Sequence, residues 1–351
     1  MSRLIIFLSL YFSIYGAAHL YLLIKWRRAF YLQGVEYFLL FVVLSFLLLA
    51  PINARLLESQ GYLLASLAMY WIGYLWLGFI FIYVCLALPL DGYHLLVGTW
   101  QRLTGTDWTG LMLSRRQCVV LVVILTCGLM IYGAIEAYRI PVERLTLGSP
   151  LIPSAASRIR VVQISDVHLG PMLYPGRLTP IMTAIQEAQP DILVCTGDLI
   201  DGPLLNQADV AVDFANLTAP MGKYAVTGNH EFYYGIKRAS EFINEAGFTL
   251  LRNRTLSAGK YLTITGVDDP AGGPGPTGKP TEAQLASALP KNKYAVLLKH
   301  RPLIDPDAKG AFNLQLSGHT HDGQIFLLTT IPGSIQLREV LRHQVVADPR
   351  H

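Results

Sequence analysis

The sequence predicts two regions of different class: an α-helical region built to cross a membrane, then an α/β domain. Three observations carry this expectation. Charge is unevenly distributed, with 10 Lys/Arg and 6 Asp/Glu in residues 1–157 but 18 of each in residues 158–351. Long uncharged apolar runs are confined to the first region. From Arg158 onward a short apolar run, a loop and an amphipathic stretch alternate, the order of strand, loop and helix in an α/β domain. The expected boundaries are 1–135 for the membrane region, 136–157 for a linker broken by Pro141, Pro150 and Pro153, and 158–351 for the α/β domain.

Four transmembrane helices are predicted. Leu4 to Ile24 is long enough to span about 30 Å of hydrocarbon. Tyr37 to Ile52 is shorter, with Glu36 reaching the interface and Pro51 marking its end. Tyr62 to Pro89 can span with tilt, and Cys118 to Ile135 is the fourth. Such lengths disfavour buried core helices of a soluble protein. For the first segment a signal peptide is the rival, because Arg3, Leu4 to Tyr15 and Gly16-Ala17-Ala18 supply its three parts. The apolar run continues past the small residues to Ile24, which favours a membrane helix. His19 has no acidic partner in these helices and reads as a structural hydrogen-bonding group rather than part of an ion path.

Loop charges give the orientation. The first loop has Lys25, Arg27 and Arg28, the second only Arg55, and the third Arg102, Arg115 and Arg116. The first and third loops therefore face the cytoplasm. The N-terminus and everything after Ile135 fall on the extracytoplasmic face of the plasma membrane, although Arg139 and Arg144 oppose the bias. Trp100, Trp108, Leu111 and Leu113 give the third loop the composition of an amphipathic interfacial segment.

The formal charge of +4 comes from the first region alone. The second is neutral overall, so no basic footprint points to nucleic acid. Cys85, Cys118 and Cys127 lie in apolar runs and Cys195 in a predicted strand. No CxxC pair signals a zinc knuckle or a disulfide framework.

In the second region, strands are predicted at Arg160–Ser165, Ile192–Thr196, Lys223–Thr227, Phe248–Arg252, Tyr261–Val267, Ala295–Lys299 and Leu314–Ser317. Helices are predicted at Leu178–Ala188, Ala208–Leu217, Lys237–Ala246 and Thr281–Leu289. Asp269 to Pro280 reads as a Gly/Pro-rich loop, and Ile325–Thr329 with Ser334–Leu337 as a final hairpin. Five strand ends are followed by Asp, His or Asn, and parallel strands bring such ends to one edge of a sheet. Asp166-Val167-His168 places two ligand types at i and i+2, which share a side of an extended chain. His319 and His321 repeat that spacing, and Asp198, Asn229 and His300 complete the set. Mixed imidazole and carboxylate donors suit Zn, Fe or Mn. Seven donors exceed what one such ion needs, so two ions are expected. One carboxylate must then bridge them, about 3.5–4 Å apart; Asp198, just past a buried strand, is the choice.

Taken singly, each His could be structural; jointly, five of nine fall at such strand ends. His343 and His351 read as surface or tail residues, and Asp201 fits a turn cap. Glu231 reads as capping or supporting a helix; Lys299 and Arg301 flank His300, where they could touch substrate phosphate, although flanking charges are usually solvated. Asp268-Asp269 reads as a turn rather than a cation site.

In order, Asp-x-His, Gly-Asp-x-x-Asp, Gly-Asn-His-Glu, a later His and Gly-His-x-His resemble the calcineurin-like metallophosphoesterase superfamily over about residues 158–330. The run Gly318 to Gln324 is similar to the branch whose catalytic domain follows a membrane anchor; Asp322 stands where that branch often has Gly. The resemblance implies a four-layer α/β/β/α sandwich and a membrane-bound enzyme. Metal-activated hydroxide would hydrolyse a phosphoester or pyrophosphate bond without a covalent intermediate. It implies two divalent metal ions (Mn, Fe or Zn), the first held by Asp166, His168 and His321, the second by Asn229, His300 and His319, with Asp198 bridging. His230 would donate a proton to the leaving oxygen or stabilise the transition state, with Asp201 orienting it. Relatives act on lipid-linked intermediates, nucleotides or phosphodiesters. The expected partners are therefore the lipid bilayer and a phosphorylated lipid or small molecule. A tethered phosphodiesterase for soluble substrates is one alternative. A non-catalytic membrane receptor is another, against which the intact His230 and ligand set argue.

Overall fold

The computed structural model describes residues 2–137, 140, 142–153, 158–171, 175–204, 206–273 and 279–320. The chain divides into two units, Met1–Arg139 and Ile140–His351.

The first unit holds α1 (Ser2–Phe30), α2 (Gly34–Ser59), α3 (Leu63–Thr104) and α4 (Arg115–Ala137). All four contain stretches long and apolar enough to cross a membrane, with mean hydropathy of 1.6 to 2.6. Leu22, Ile80, Tyr83 and Val122 pack in the interior, while Phe38, Leu64 and Ile124 are exposed. An outer surface this apolar requires lipid rather than water. This is a membrane protein.

Two details differ from the sequence expectation. Pro51 lies inside α2 rather than at its end. Proline removes one i→i−4 hydrogen bond, a loss that neighbouring helices make tolerable in a membrane bundle. Gly73 of α3 admits the proline ring: a Cβ there would meet Pro51 N at 3.0 Å. Second, α3 does not stop at Pro89 but runs to Thr104, where Gly105 at φ +68° ends it. At 42 residues it is about 63 Å long. Its acidic residue, Asp91, is paired. Asp91 accepts from Lys25 Nζ at 2.5 Å and from the Tyr21 hydroxyl at 2.5 Å, both on α1. His19 is fully engaged, with Nδ1 2.7 Å from the Tyr15 carbonyl and Nε2 accepting from Trp76 Nε1 at 2.8 Å.

The second unit opens with β1 (Val161–Ile164), α5 (Pro175–Ala188), β2 (Ile192–Cys195), α6 (Gln207–Ala215) and β3 (Lys223–Ala225). Then come α7 (Asn229–Tyr234), α8 (Ile236–Glu245), β4 (Thr249–Leu250), β5 (Arg254–Ala258) and β6 (Leu262–Gly266). It continues with α9 (Glu282–Ser287), β7 (Tyr294–Leu298) and β8 (Leu314–Leu316). Two four-stranded sheets result, ordered β1-β2-β3-β4 and β5-β6-β7-β8. The first is parallel throughout. In the second, β6, β7 and β8 are parallel, and β5 is antiparallel to β6.

Strand alternation builds the layers. In β2, Leu193 and Cys195 face Ile185 of α5, Phe214 of α6 and Phe242 and Ile243 of α8. Ile192 and Val194 face the other way, where Leu262 and Ile264 of β6 and Val296 and Leu298 of β7 meet them. The opposite face of β7, Ala295 and Leu297, packs against Ala286 of α9, Leu289 and Phe312. Each fully buried Leu or Ile in these layers is worth about 1.5–3 kcal/mol. Helix, sheet, sheet and helix thus stack in the expected four-layer order. The sequence reading passed over β5 and α7. β5 is an edge strand with only its last residue fully buried, so it lacks an apolar pattern. α7 has six residues and begins on the functional loop itself. The proposed hairpin at residues 325–337 lies outside the described residues.

Candidate metal centre

Parallel pairing carries the loops after β1, β2 and β3 to one edge of the first sheet. The ends of β7 and β8 are tied to the same place. Gln163 Nε2 of β1 donates to Thr196 Oγ1 at 2.8 Å, just past β2, and to the Ser317 carbonyl at 2.9 Å, just past β8. Gly318 N donates to the His300 carbonyl at 2.9 Å.

Tight backbone turns aim the side chains. Asp166, His168, Asp198 and His319 have φ of +54°, +53°, +52° and +73°, four of the seven described non-glycine residues with positive φ. Each such residue costs energy that the surroundings must offset, and such strain clusters at functional sites. The expectation that Asp166 and His168 share a side through strand alternation is therefore replaced: β1 ends at Ile164, and two left-handed residues set their directions. Glycines let the loops close on one another. A Cβ on Gly228 would lie 2.2 Å from Asp198 Oδ1, and one on Gly318 would lie 2.3 Å from Asp166 Oδ2.

Asp198 sits at the centre, its residue only 2% exposed. Its Oδ1 accepts from the His230 backbone N–H at 2.9 Å. Its Oδ2 lies 3.1 Å from His300 Nε2 and 3.9 Å from His168 Nε2. Two groups of metal-type donors form among the described residues: His168, Asp198 and His230, and Asp198, His300 and His319. Asp198 is the member common to both.

The second group shows what its donors need. His300 Nδ1 lies 3.0 Å from the Thr196 carbonyl, which can only accept, so Nδ1 carries the proton. In its neutral form the ring turns the Nε2 lone pair inward, 3.2 Å from Asn229 Oδ1 and 3.1 Å from His319 Nδ1. Lone pairs from an imidazole, an amide and a carboxylate converging this closely repel one another unless a cation or proton lies between them. This chemistry fits a divalent cation bound by N and O donors.

Asp166 stands beside these groups, accepting from Ser165 Oγ at 2.6 Å and from the His319 backbone N–H at 3.1 Å. Asp201 Oδ2 is nearer His168 Nδ1, at 3.3 Å, than His230 Nδ1, at 3.8 Å. In this structure it orients His168 first. His230 keeps 36% of its side chain exposed, against 24% for His168 and 0% for His300. Its ring meets the edge of His168 at 4.6 Å and of Tyr233 at 5.6 Å between centroids. His321 and its neighbour Asp322 lie outside the described residues, as do His343 and His351.

Proton affinities follow the geometry. Burial pushes the Asp198 carboxyl up, but the His300 hydrogen bond and charge and the His230 N–H outweigh it, and the net shift is downward. Burial lowers His168 and His300, yet Asp201 for the first and Asp198 for the second raise them overall. Burial takes His230 down despite the Asp198 charge. It also lowers His319, with the His300 and Arg301 charges adding to the effect.

Glu231 caps α7 through the Gly228 N–H, as its sequence position suggests, and also holds the loops in register, a role the sequence reading did not include. It is fully buried. Oε1 accepts from the N–H of Leu199 at 2.7 Å and of Ile200 at 3.2 Å. Oε2 accepts from Asp198 at 3.0 Å and Gly228 at 2.6 Å. Four N–H donors and, among the described residues, no acceptor surround the group, an arrangement made for a carboxylate. Burial and the Asp198 charge push its proton affinity up, and the N–H groups of Gly228, Ile200 and Asp198 reverse only part of that shift. Its position three residues past Gly228, the spacing of half a capping box, was the available signal.

The nearby charges are spoken for. Lys299 Nζ pairs with Glu282 at 2.6 Å, and Asp268 with Arg252 at 2.9 Å and Lys279 at 3.0 Å. Asp269 caps the turn at Pro270–Gly272 and pairs with Arg301 at 2.9 Å. The Asp pair is thus a turn, as read from the sequence.

Comparison with known proteins agrees with this geometry. The family profile described as calcineurin-like phosphoesterase matches residues 159–323. An uncharacterized metallophosphoesterase of Aquifex aeolicus is 37% identical over 198 residues, 56% of this chain and 76% of that protein. The uncharacterized metallophosphoesterase YkuE of Bacillus subtilis is 36% identical over 203 residues, 55% of this chain and 68% of that one. A transmembrane protein with metallophosphoesterase domain from Danio rerio is 30% identical over 240 residues, 62% of this chain and 53% of that one. An apolar four-helix unit thus precedes a four-layer α/β domain whose strand ends gather imidazole and carboxylate donors around Asp198, and the chain belongs to the calcineurin-like metallophosphoesterases, metal-dependent phosphoester hydrolases.

Proposed function

We propose that this protein is a membrane-bound phosphoesterase working through two divalent cations that Asp198 bridges. The observation that carries this reading is the shared Oδ2 of Asp198, set between His300 Nε2 at 3.1 Å and His168 Nε2 at 3.9 Å. Asp166, His168 and His321 would hold one cation; Asn229, His300 and His319 would hold the other. The nitrogen and oxygen donors suit Mn, Fe or Zn. When bound, such cations supply a water of lowered pKa and neutralise charge on the phosphoryl oxygens.

The chain's own residues then divide the remaining work. Asp198, His300 and Asn229 are buried and fix the centre. His230 is open to solvent on one side, and its backbone is tied to Asp198, so its ring can meet the leaving oxygen and donate a proton. With metal content unchanged, His230→Ala should lower kcat on an aryl phosphate by about 10²–10⁴-fold. Loss of bound metal in that variant would instead make His230 a ligand, which its place beside His168 and Asp198 allows.

The substrate we favour is lipid-linked. Four membrane helices support it. So do Tyr233, Leu303 and Ile304, exposed apolar side chains three or four residues from His230 and His300. The test compares short- and long-chain lipid phosphates and diphosphates with aryl phosphates in detergent with Mn²⁺. A kcat/KM that does not rise with chain length would overturn the lipid reading and favour a tethered enzyme for soluble substrates. By the loop charges, the α/β domain faces the extracytoplasmic side of the plasma membrane. A C-terminal reporter active only outside the cytoplasm is the expected result, and a cytoplasmic signal would reverse this orientation.

A further inference from the structure

The fold gives Arg301 a different place from Lys299. Of the two cations flanking His300, Lys299 is withdrawn into its pair with Glu282, with 15% and 8% of the two side chains exposed. Arg301 keeps 32% of its side chain exposed, although its partner Asp269 is fully buried. The pairing is side-on: Nε donates to Asp269 Oδ2 at 2.9 Å and Nη2 to Oδ1 at 3.2 Å. That geometry leaves the Nη1 hydrogens out of the pair. Asp269 is itself fixed, its backbone N–H donating to Thr227 Oγ1 at 3.1 Å and its Oδ1 accepting from Ala271 N at 2.8 Å. Thr227 is two residues before Asn229. The guanidinium is thus anchored to the loop that carries one candidate ligand and is adjacent in sequence to another, His300. Its charge is felt at His319.

A guanidinium immobilised by a buried carboxylate, with N–H groups that have no other partner among the described residues, is a preorganised receptor for phosphate oxygens. A monoester phosphate has three non-bridging oxygens and up to two charges; a diester has two and one. Two bridged cations can serve the oxygens both classes share, and the additional oxygen of a monoester is the one left for Arg301. We infer that Arg301 binds this oxygen and makes the centre select phosphomonoesters, or the terminal phosphate of a diphosphate, over phosphodiesters. The inference rests on the two-metal reading above.

The experiment uses full-length Mn²⁺-loaded protein in detergent, with Arg301→Ala and Arg301→Lys. Substrates are p-nitrophenyl phosphate and bis(p-nitrophenyl) phosphate, and binding of inorganic phosphate is measured by calorimetry. Arg301→Ala should lower kcat/KM on the monoester about 100-fold and on the diester less than about 5-fold, as expected for loss of one charged donor pair. Phosphate binding should weaken at least about 10-fold while metal content is kept. Arg301→Lys keeps the charge but not the fork, so the monoester preference should fall by at least about 5-fold. This variant decides the matter if the alanine protein fails to fold. Equal losses on both esters, or unchanged phosphate binding, would overturn the assignment. Wild-type protein that hydrolyses neither ester would defeat the phosphoesterase reading, while the phosphate-binding comparison would still judge Arg301.

Discussion

Asp198→Asn should abolish phosphoester hydrolysis in a protein that still folds and inserts in the membrane. Asparagine keeps the shape of the side chain and one oxygen, so the His230 N–H can retain its acceptor. What disappears is the negative charge that, on the two-cation reading, would draw a cation to His300 on one side and His168 on the other. The fall in kcat should be about 10³-fold or more, because the cations would then carry the largest share of transition-state stabilisation. Stability of the metal-free protein near neutral pH should fall as well. The His300 hydrogen bond and charge and the His230 N–H hold the Asp198 carboxyl below its usual range, so its ionised form stabilises the fold at pH values above that range, and this is lost with the charge. The repulsion that Asp198 exerts on Glu231 offsets part of that loss. Activity within about tenfold of wild type would place the essential charge elsewhere.

Glu231→Ala should be the most destabilising single change at the site. Four backbone N–H groups lose their acceptor at once in a region without water access. Breaking a buried charged network costs about 3–5 kcal/mol. For a domain of this size that corresponds to a midpoint drop of roughly 10 °C or more, at about 2–4 °C per kcal/mol. Metal should be lost as well, because the loops of Asp198 and Asn229 are no longer held together. Glu231→Gln keeps one oxygen for Leu199 and Ile200 but turns an NH₂ toward the N–H groups of Asp198 and Gly228, so it should fall between the two. Thermal unfolding with metal analysis on the same samples checks both. A midpoint within about 1 °C of wild type for the alanine variant would show that the loops hold without this clamp.

How much was legible in the sequence depends on what each residue needed from its surroundings. The layers were readable because β2 and β7 are short apolar runs buried on both faces, a pattern that local sequence carries. The donor residues were readable because strand ends converge, so topology alone gathers Asp198, Asn229, His300 and His319. β5 was not, since an edge strand such as Arg254–Ala258 is defined by its partner β6 and not by its own hydrophobicity. Pro51 was misread as an end because local rules for proline omit the neighbouring helix, where Gly73 makes room. The cap on α7 was legible at Glu231 but its hold on the Asp198 loop was not, and Arg301 stayed open between a solvated charge and a phosphate contact. The partners that decide both, N–H groups about 30 residues away for Glu231 and Asp269 for Arg301, are distant in sequence.

The most direct test of the central claim is the metal stoichiometry and spin coupling of the purified full-length protein loaded with Mn²⁺. Two ions per chain are expected, with the electron paramagnetic resonance signal of a coupled pair, and Asp198→Asn should lose that coupling. One uncoupled ion per chain in the wild type, or a coupled pair that survives in Asp198→Asn, would contradict a centre bridged by Asp198.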